Sequence, residues 1–345
     1  MWLNAAMAIA VRSFAKINLG LYIGARRDDG FHDLLTVYQT IGLHDVIRIS
    51  VGRGKGIEIR CEDARVPRDE SNTCYRVVEK AMQALRVKGR VFVEIEKRLP
   101  VQGGMGGASS NAVAALLGLE RALKKRLAAE ERLRIAAEVG SDLPLFLVGG
   151  TVLGVGRGEQ VYGLEDLPAT ACVVVTPEVG VSTAKAFAEW DRSAADSQGQ
   201  RTAGLRPTGP PGAAVPTLTV PKSSDRMGEL GRGLSAWLGA SYSGAPRSRR
   251  GRAENPLLEL VRAGIKNDFE QVVFPEYPEL SEGKISLERA GAKYVSLSGS
   301  GSTLYGLFAS KDAARTAAIK LCKRGWAAQA TVTLTRREYW KRLFR

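Results

Sequence analysis

The stretch KRLPVQGGMGGASSNAVAALLGL, residues 97–119, constrains this chain more than any other. Gly103, Gly104, Gly106 and Gly107 stand between two regular patterns. Before them, RVFVEIEKRL alternates Val91, Val93 and Ile95 with Phe92, Glu94 and Glu96, the period of a strand. After them, Asn111-Ala-Val-Ala-Ala-Leu-Leu-Gly-Leu is rich in helix formers and apolar on most faces, which predicts a buried helix. Glycine at such a junction weakens local order, so the chain needs there either unusual backbone angles or a close approach to the main chain. A helix N-terminus presents unpaired N–H groups and about half a positive charge, which suits phosphate. Ser109 and Ser110 add hydroxyls that can donate to an anion or touch a metal ion. No Lys follows the glycines as in a Walker A element, and Ser109 takes the sixth place of G-x-G-x-x-G, so neither motif is complete. Phosphate binding and a plain glycine-assisted turn both fit the loop taken alone.

Around this loop the chain divides unevenly. The N-terminal part reads as strands in VRSFAKINLGLYIG, LLTVYQTIGL, DVIRISV and GIEIRC. A helix over SNTCYRVVEKAMQALR follows, with Asn72 or Ser71 as its cap, and LAAEERLRIAAEVG forms another that stops at Gly140. TVLGV, EQVYGL and ACVVVTP read as strands. Residues 193–253 break the pattern: five of the fourteen prolines lie between Pro207 and Pro221, in a small, polar context that buries too little to offset ordering. This predicts a mobile insertion. Beyond it, KYVSLSG, TLYGLFA and AAQATVTL read as strands and KDAARTAAIKLCKRG as a helix, the alternation of a small split β-α-β sandwich. The expected organisation is a first domain over 8–175 and a second domain over 176–192 and 254–338, with 193–253 inserted.

Charge narrows the function less than it first suggests. The net charge is +14, yet residues 201–252 hold nine Arg or Lys against two acidic residues, so +7 of the excess sits in the insertion. What remains is modestly basic, as suits a protein handling polyphosphates rather than nucleic acid. The four cysteines show no C-x-x-C spacing and read as buried fillers in a reducing compartment, and two histidines argue against a histidine-based zinc site. The apolar run between Asp142 and Arg157 is too short for a bilayer, and the N-terminal stretch lacks the basic region of a signal peptide. The expectation is a cytoplasmic protein with no membrane and no nucleic-acid partner.

Three more stretches carry candidate chemistry. FAKINLGL sets Lys16 and Asn18 two apart, on one face of a strand, although for the residue taken alone an edge lysine pointing to water is the simpler reading. GSDLP sets Asp142 after a helix stop and before Pro144, where a capping carboxylate is the simple alternative. SLSGSGSTLYG places Gly299 and Gly301 between two strands, as either a hairpin turn or a second phosphate or sugar contact.

Taken in order, AKINLGL, DGFH, LPVQGGMGGASSN, SDLP and LSGSG resemble the GHMP kinase superfamily of small-molecule kinases. The resemblance covers nearly the whole chain except 193–253. It implies an α+β fold with an S5-like N-terminal domain, a ferredoxin-like C-terminal domain and the active site in the cleft between them. The segment DDGFHDLLTVYQTIGLHD further resembles the branch whose substrate is a cytidyl diphosphate and which serves isoprenoid precursor synthesis. On that resemblance ATP and Mg2+ are the cofactors, and the protein is a monomer or homodimer. Pro100 and the run Gly103, Gly104, Met105, Gly106, Gly107, Ala108, Ser109, Ser110 and Asn111 would wrap the ATP phosphates. Asp142 would take the proton of the substrate hydroxyl, with Lys16 holding both. Phe31 and Phe187 would sandwich the cytosine, His32 would meet its edge, and Asn18, Gly299 and Gly301 would complete the substrate side. Phe31 stands where the family usually has Tyr, which keeps the stacking face and removes a hydroxyl. Two rivals remain: a mevalonate- or homoserine-type kinase, which would not need an aromatic–His pair, and a non-catalytic nucleotide- or RNA-binding protein, which would not need Lys16 and Asp142 together.

Overall fold

A computed structural model of the chain describes residues 8–203 and 265–344. The first sheet is built on two long antiparallel strands, β1 (Ile9–Arg26) and β2 (His32–Gly52). The register slips between Phe14 and Lys16 and again between Asn18 and Gly20, so β1 is bulged where its candidate site residues lie. The two strands expected over LLTVYQTIGL and DVIRISV are one, because β2 runs unbroken through Gly42 and His44. On the side of β2 away from β1, β4 (Arg90–Glu96) pairs with its C-terminal half and β5 (Thr151–Val155) with its N-terminal half. β3 (Gly56–Cys61) and β6 (Gln160–Gly163) form the outer edges, giving six strands in all. β4 buries Val91, Val93 and Ile95 on one face, as its period of two requires.

Helices cover one face of that sheet. α1 (Thr73–Ala84) is capped by Asn72, whose side chain accepts from the Cys74 amide. α2 (Gly107–Leu123) is buried over the continuous stretch Ser110–Glu120, as an all-round apolar helix must be. α3 (Ala129–Val139) ends at Gly140, and α4 (Leu143–Val148) follows as a short turn of helix with Pro144 in its first turn.

The second sheet has the order β10-β7-β9-β8, all antiparallel, made of β7 (Ala171–Val175), β8 (Tyr294–Leu297), β9 (Leu304–Phe308) and β10 (Ala328–Val332). β7 therefore belongs with the C-terminal strands, and the expected boundary at 175 falls one strand late. A run as apolar as ACVVV serves equally as the last strand of one sheet or a central strand of another; only its partners decide. α5 (Thr183–Ala203), α6 (Glu270–Glu276), α7 (Pro278–Arg289), α8 (Lys311–Cys322) and α9 (Arg336–Leu343) complete the described helices. The backbone of α5 continues as helix to Ala203, past the expected start of the insertion at 193; the rest of that expected insertion lies outside the described residues.

Each sheet has its own apolar core, and a third cluster joins them. There Ala15, Ile17 and Leu19 of β1 meet Cys172 and Val174 of β7 and Tyr305 and Leu307 of β9. These side chains are almost fully buried, so the two sheets are locked face to face along β1. The alternate residues of β1, Lys16 and Asn18, are also buried, at 3% and 1% exposure. A buried lysine needs partners. The alternative of an edge lysine in water is thereby removed. Among the described residues, no helix is long and apolar enough to cross a membrane.

Candidate active site

The glycine loop lies where β1, the head of α2 and the β8–β9 turn meet. Lys16 N–H donates to the Met105 carbonyl at 3.0 Å, which ties the loop to the bulged part of β1. From the other side, the Ser298 hydroxyl donates to the Gly104 carbonyl at 3.0 Å and the Thr303 amide to the Gly103 carbonyl at 3.2 Å. Two glycines are sterically required. Gly104 has φ +74°, and a Cβ there would come 2.2 Å from the Ser298 carbonyl oxygen. Gly106, the N-cap of α2, has φ +66°, and its Cβ would meet the Lys16 side chain and the Phe146 ring at 3.1 and 3.0 Å. The loop is thus shaped by close approach on both sides, and its free N–H groups open at the start of α2.

Asp45 holds the base of this loop. It is fully buried and accepts from the amides of Arg98 and Leu99 at 2.7 Å each, from Lys97 Nζ at 2.8 Å and from Asn111 Nδ2 at 3.0 Å. Strand end, loop and helix are pinned by one carboxylate, and breaking such a buried pair from one side costs about 3–5 kcal/mol. The sequence carries a signal for it, an acidic residue just before the apolar Val46-Ile47 of a strand pattern.

A cavity of about 340 Å³ opens on the loop. Pro100, Gly103, Gly104, Met105, Gly106, Gly107, Ala108, Ser109 and Asn111 all line it, so the expected phosphate contacts share one cavity. Ser110 does not; its hydroxyl accepts from Ser13 at 2.8 Å behind the helix. The cavity is also lined by Arg65–Pro67 and Ser71–Cys74, which sequence pattern marks only as a loop and a helix cap.

Lys16 and Asp142 come together beside the loop. Lys16 Nζ lies 3.4 Å from Asp142 Oδ2 and donates to Asn18 Oδ1 at 2.7 Å. Asn18 in turn donates to Thr36 at 2.8 Å, and its carbonyl accepts from Tyr305 at 2.9 Å. Asp142 occupies the N-cap position of α4 but makes no capping bond, so the simple capping alternative is not realised. Its other oxygen accepts from the Tyr38 hydroxyl at 3.1 Å, a residue the sequence did not single out. Burial, and then the charge of Asp142, raise the Tyr38 phenol well above its ordinary pKa, so it stays a neutral donor. The Asp142 side chain keeps a third of its surface open, while Lys16 is closed off at 4%. The carboxylate is thus held by a fixed cation and a fixed hydroxyl and presented outward, the arrangement of a base awaiting a proton. Gly299 completes this corner: a Cβ on it would lie 3.5 Å from Lys16 Nζ, Asn18 Oδ1 and the Gly104 carbonyl. The Gly301 amide donates to the Ser298 carbonyl within the same turn.

The aromatic residues sit farther along the β1–β2 end. Phe31 is 52% exposed, with the Arg157 guanidinium 5.0 Å above its ring. His32 is buried, and Phe187 stacks on it at 5.0 Å between ring centroids and 8° between planes. Phe269 meets Phe187 edge-on. The described ring contacts of Phe187 are thus with His32 and Phe269 and not with Phe31, the other half of the expected sandwich. His32 Nε2 is 2.7 Å from Asp191 Oδ1, a partner separated by so much chain that sequence pattern gives no hint of it.

Comparison with known proteins bears on this geometry. The family model described as GHMP kinases N terminal domain matches residues 72–150, and that described as GHMP kinases C terminal matches 253–326. A 4-diphosphocytidyl-2-C-methyl-D-erythritol kinase of Solibacter usitatus is 34% identical, over 88% of this chain and 82% of the relative. One from Geobacter sulfurreducens is 32% identical over 94% of this chain and 99% of its own length. A solved structure of a 4-(cytidine 5'-diphospho)-2C-methyl-D-erythritol kinase superposes with a TM-score of 0.66 at 28% identity, covering 94% of this chain and 98% of that one. A homoserine kinase from Cytophaga hutchinsonii reaches the same TM-score at 18% identity, over 97% of each chain, a likeness of fold alone.

Proposed function

From the premise that this chain belongs to the GHMP kinase family, and within it to the 4-diphosphocytidyl-2-C-methyl-D-erythritol kinases, we propose that it transfers the terminal phosphate of ATP to a hydroxyl of 4-diphosphocytidyl-2-C-methyl-D-erythritol, in cytoplasmic isoprenoid precursor synthesis. The observation that carries the reading is the Lys16–Asp142 pair standing beside a glycine loop that opens at a helix N-terminus.

Phosphoryl transfer asks a protein for positioning and for positive charge where phosphate oxygens gain charge. The N–H groups from Gly103 to Ser109 supply the second, and the cavity beside them is of a size for a nucleotide. Gly104 supports the loop from behind: with no side chain, its main chain packs directly against the Ser298 and Gly301 carbonyls of the β8–β9 turn. Asp142 takes the proton of the attacking hydroxyl, and Lys16 holds that hydroxyl against the carboxylate. Tyr38 and Asn18 keep the pair from rotating. Mg2+ neutralises charge shared between the nucleotide phosphates when bound. Among the described residues no three His, Cys, Asp or Glu side chains converge on a metal site. The Ser109 hydroxyl, on the wall of the same cavity, would be a protein oxygen for that ion.

The base end follows from Phe31, His32 and Phe187. The exposed face of Phe31 offers a stacking platform, worth roughly 1–3 kcal/mol per base. Steady-state kinetics of Phe31→Ala tests this: KM for the cytidyl substrate should rise about ten- to a hundredfold, with KM for ATP little changed. Phe31→Tyr should be nearly neutral. Equal losses toward both substrates on Phe31→Ala would mean that the ring supports the fold and does not hold a base.

A further inference from the structure

The base end of the site contains a hydrogen bond that phosphoryl transfer does not require. His32 Nε2 lies 2.7 Å from Asp191 Oδ1, and the imidazole is buried. Asp191 stands one helical turn beyond Phe187 on α5, so the two side chains share a face. Phe187 lies flat on the imidazole, and Phe269 holds Phe187 from its edge. One helix face therefore fixes both the plane of the His32 ring and which of its nitrogens meets the carboxylate.

A carboxylate accepts hydrogen bonds and does not donate them, so the hydrogen in this contact belongs to Nε2. A neutral imidazole carries one ring hydrogen, which leaves Nδ1 as an acceptor. Arg26 Nη1 lies 3.8 Å from the other Asp191 oxygen. Cytosine presents an exocyclic amino group, a donor, where uracil presents a carbonyl oxygen, an acceptor. We propose, on the reading of a cytidyl substrate given above, that Asp191 is the positioning residue for base specificity: it keeps the His32 hydrogen on Nε2, so that Nδ1 accepts from the cytosine amino group and meets the uracil oxygen as a second acceptor.

The chain has only two histidines, which makes the claim directly measurable. His44 Nδ1 lies 2.9 Å from the Gly42 carbonyl, so its hydrogen sits on Nδ1. Nitrogen NMR of the full chain carrying 15N-histidine should show two rings of opposite tautomer, assigned with His44→Gln. No substrate or activity is needed. In Asp191→Asn the side-chain amide can donate to Nε2, and the His32 hydrogen should move wholly or partly to Nδ1. The ratio of kcat/KM for cytidyl over uridyl diphosphate substrate should fall about tenfold or more in Asp191→Asn, because a donor–acceptor match is lost. Asp191→Glu should recover most of that ratio, and KM for ATP should hold steady across the set. A wild-type His32 with its hydrogen on Nδ1, or on both nitrogens near neutral pH, overturns the proposal. So does an unchanged ratio in an Asp191→Asn protein whose tautomer has shifted. If wild-type protein phosphorylates neither compound, the proposed function fails and takes the cytosine contact with it, while the spectrum still decides the Asp191–His32 bond.

Discussion

Asp142→Asn is expected to lower turnover by about two orders of magnitude or more while leaving ATP binding nearly intact. The carboxylate is held by Lys16 at 3.4 Å and Tyr38 at 3.1 Å, and an amide of the same shape fills the place without accepting a proton. The fold should survive, since Asp142 makes no capping bond and a third of its side chain is already open to solvent. Tyr38→Phe removes one of the two tethers and should cost less, roughly tenfold in turnover, with KM for ATP unchanged. Calorimetric titration of ATP and single-turnover rates separate the two effects. An Asp142→Asn protein that binds ATP and turns over at a near wild-type rate would remove the carboxylate from the chemistry.

Gly104→Ala should be nearly as damaging, for a different reason. The new methyl would lie 2.2 Å from the Ser298 carbonyl oxygen and 2.9 Å from that of Gly301, both main-chain atoms, at φ +74°. Backbone strain of about 1–3 kcal/mol adds to overpacking of about 1–3 kcal/mol, so the loop and the β8–β9 turn must part. ATP affinity should fall at least about tenfold, and the melting temperature should drop by several degrees. Gly180→Ala is the control: nothing lies within 4 Å of a Cβ there, and neither quantity should change. A Gly104→Ala protein that melts and binds ATP like the wild type would mean that the loop has room the contacts do not reveal.

How much of this was legible beforehand depended on whether the cause was local. The strand before the glycine loop and the buried helix after it follow from a period of two giving way to an all-apolar run, and both stand where expected. The Asn72 cap and the Gly140 stop are equally local signals. Lys16 and Asn18 share a face because they are two apart on a strand, and they touch. The pairing of β7 was not legible, because ACVVV is apolar throughout and its sheet is chosen by β9 and β10, which lie far along the chain. Tyr38 and Asp191 were missed for the same reason: each acts through a partner more than a hundred residues away. Asp45 was the exception, since one acidic residue among Ile, Val and Leu asks for buried donors, and the strand, loop and helix supply them. Local chemistry thus located the glycine loop and its helix, while the positions of His32 and Asp142 required the fold.

The central claim is tested most directly by offering the purified protein ATP and Mg2+ with 4-diphosphocytidyl-2-C-methyl-D-erythritol, mevalonate and homoserine in separate reactions, and measuring phosphate transfer to each. The Lys16–Asp142 pair and the glycine loop would serve any of the three, so Phe31, His32 and Phe187 decide among them. The expected result is transfer to the cytidyl compound, with kcat/KM at least about a hundredfold above that for either of the others, as loss of stacking and base-edge contacts implies. Preferential transfer to mevalonate or homoserine, or transfer to none of the three by a protein that binds ATP, would contradict it.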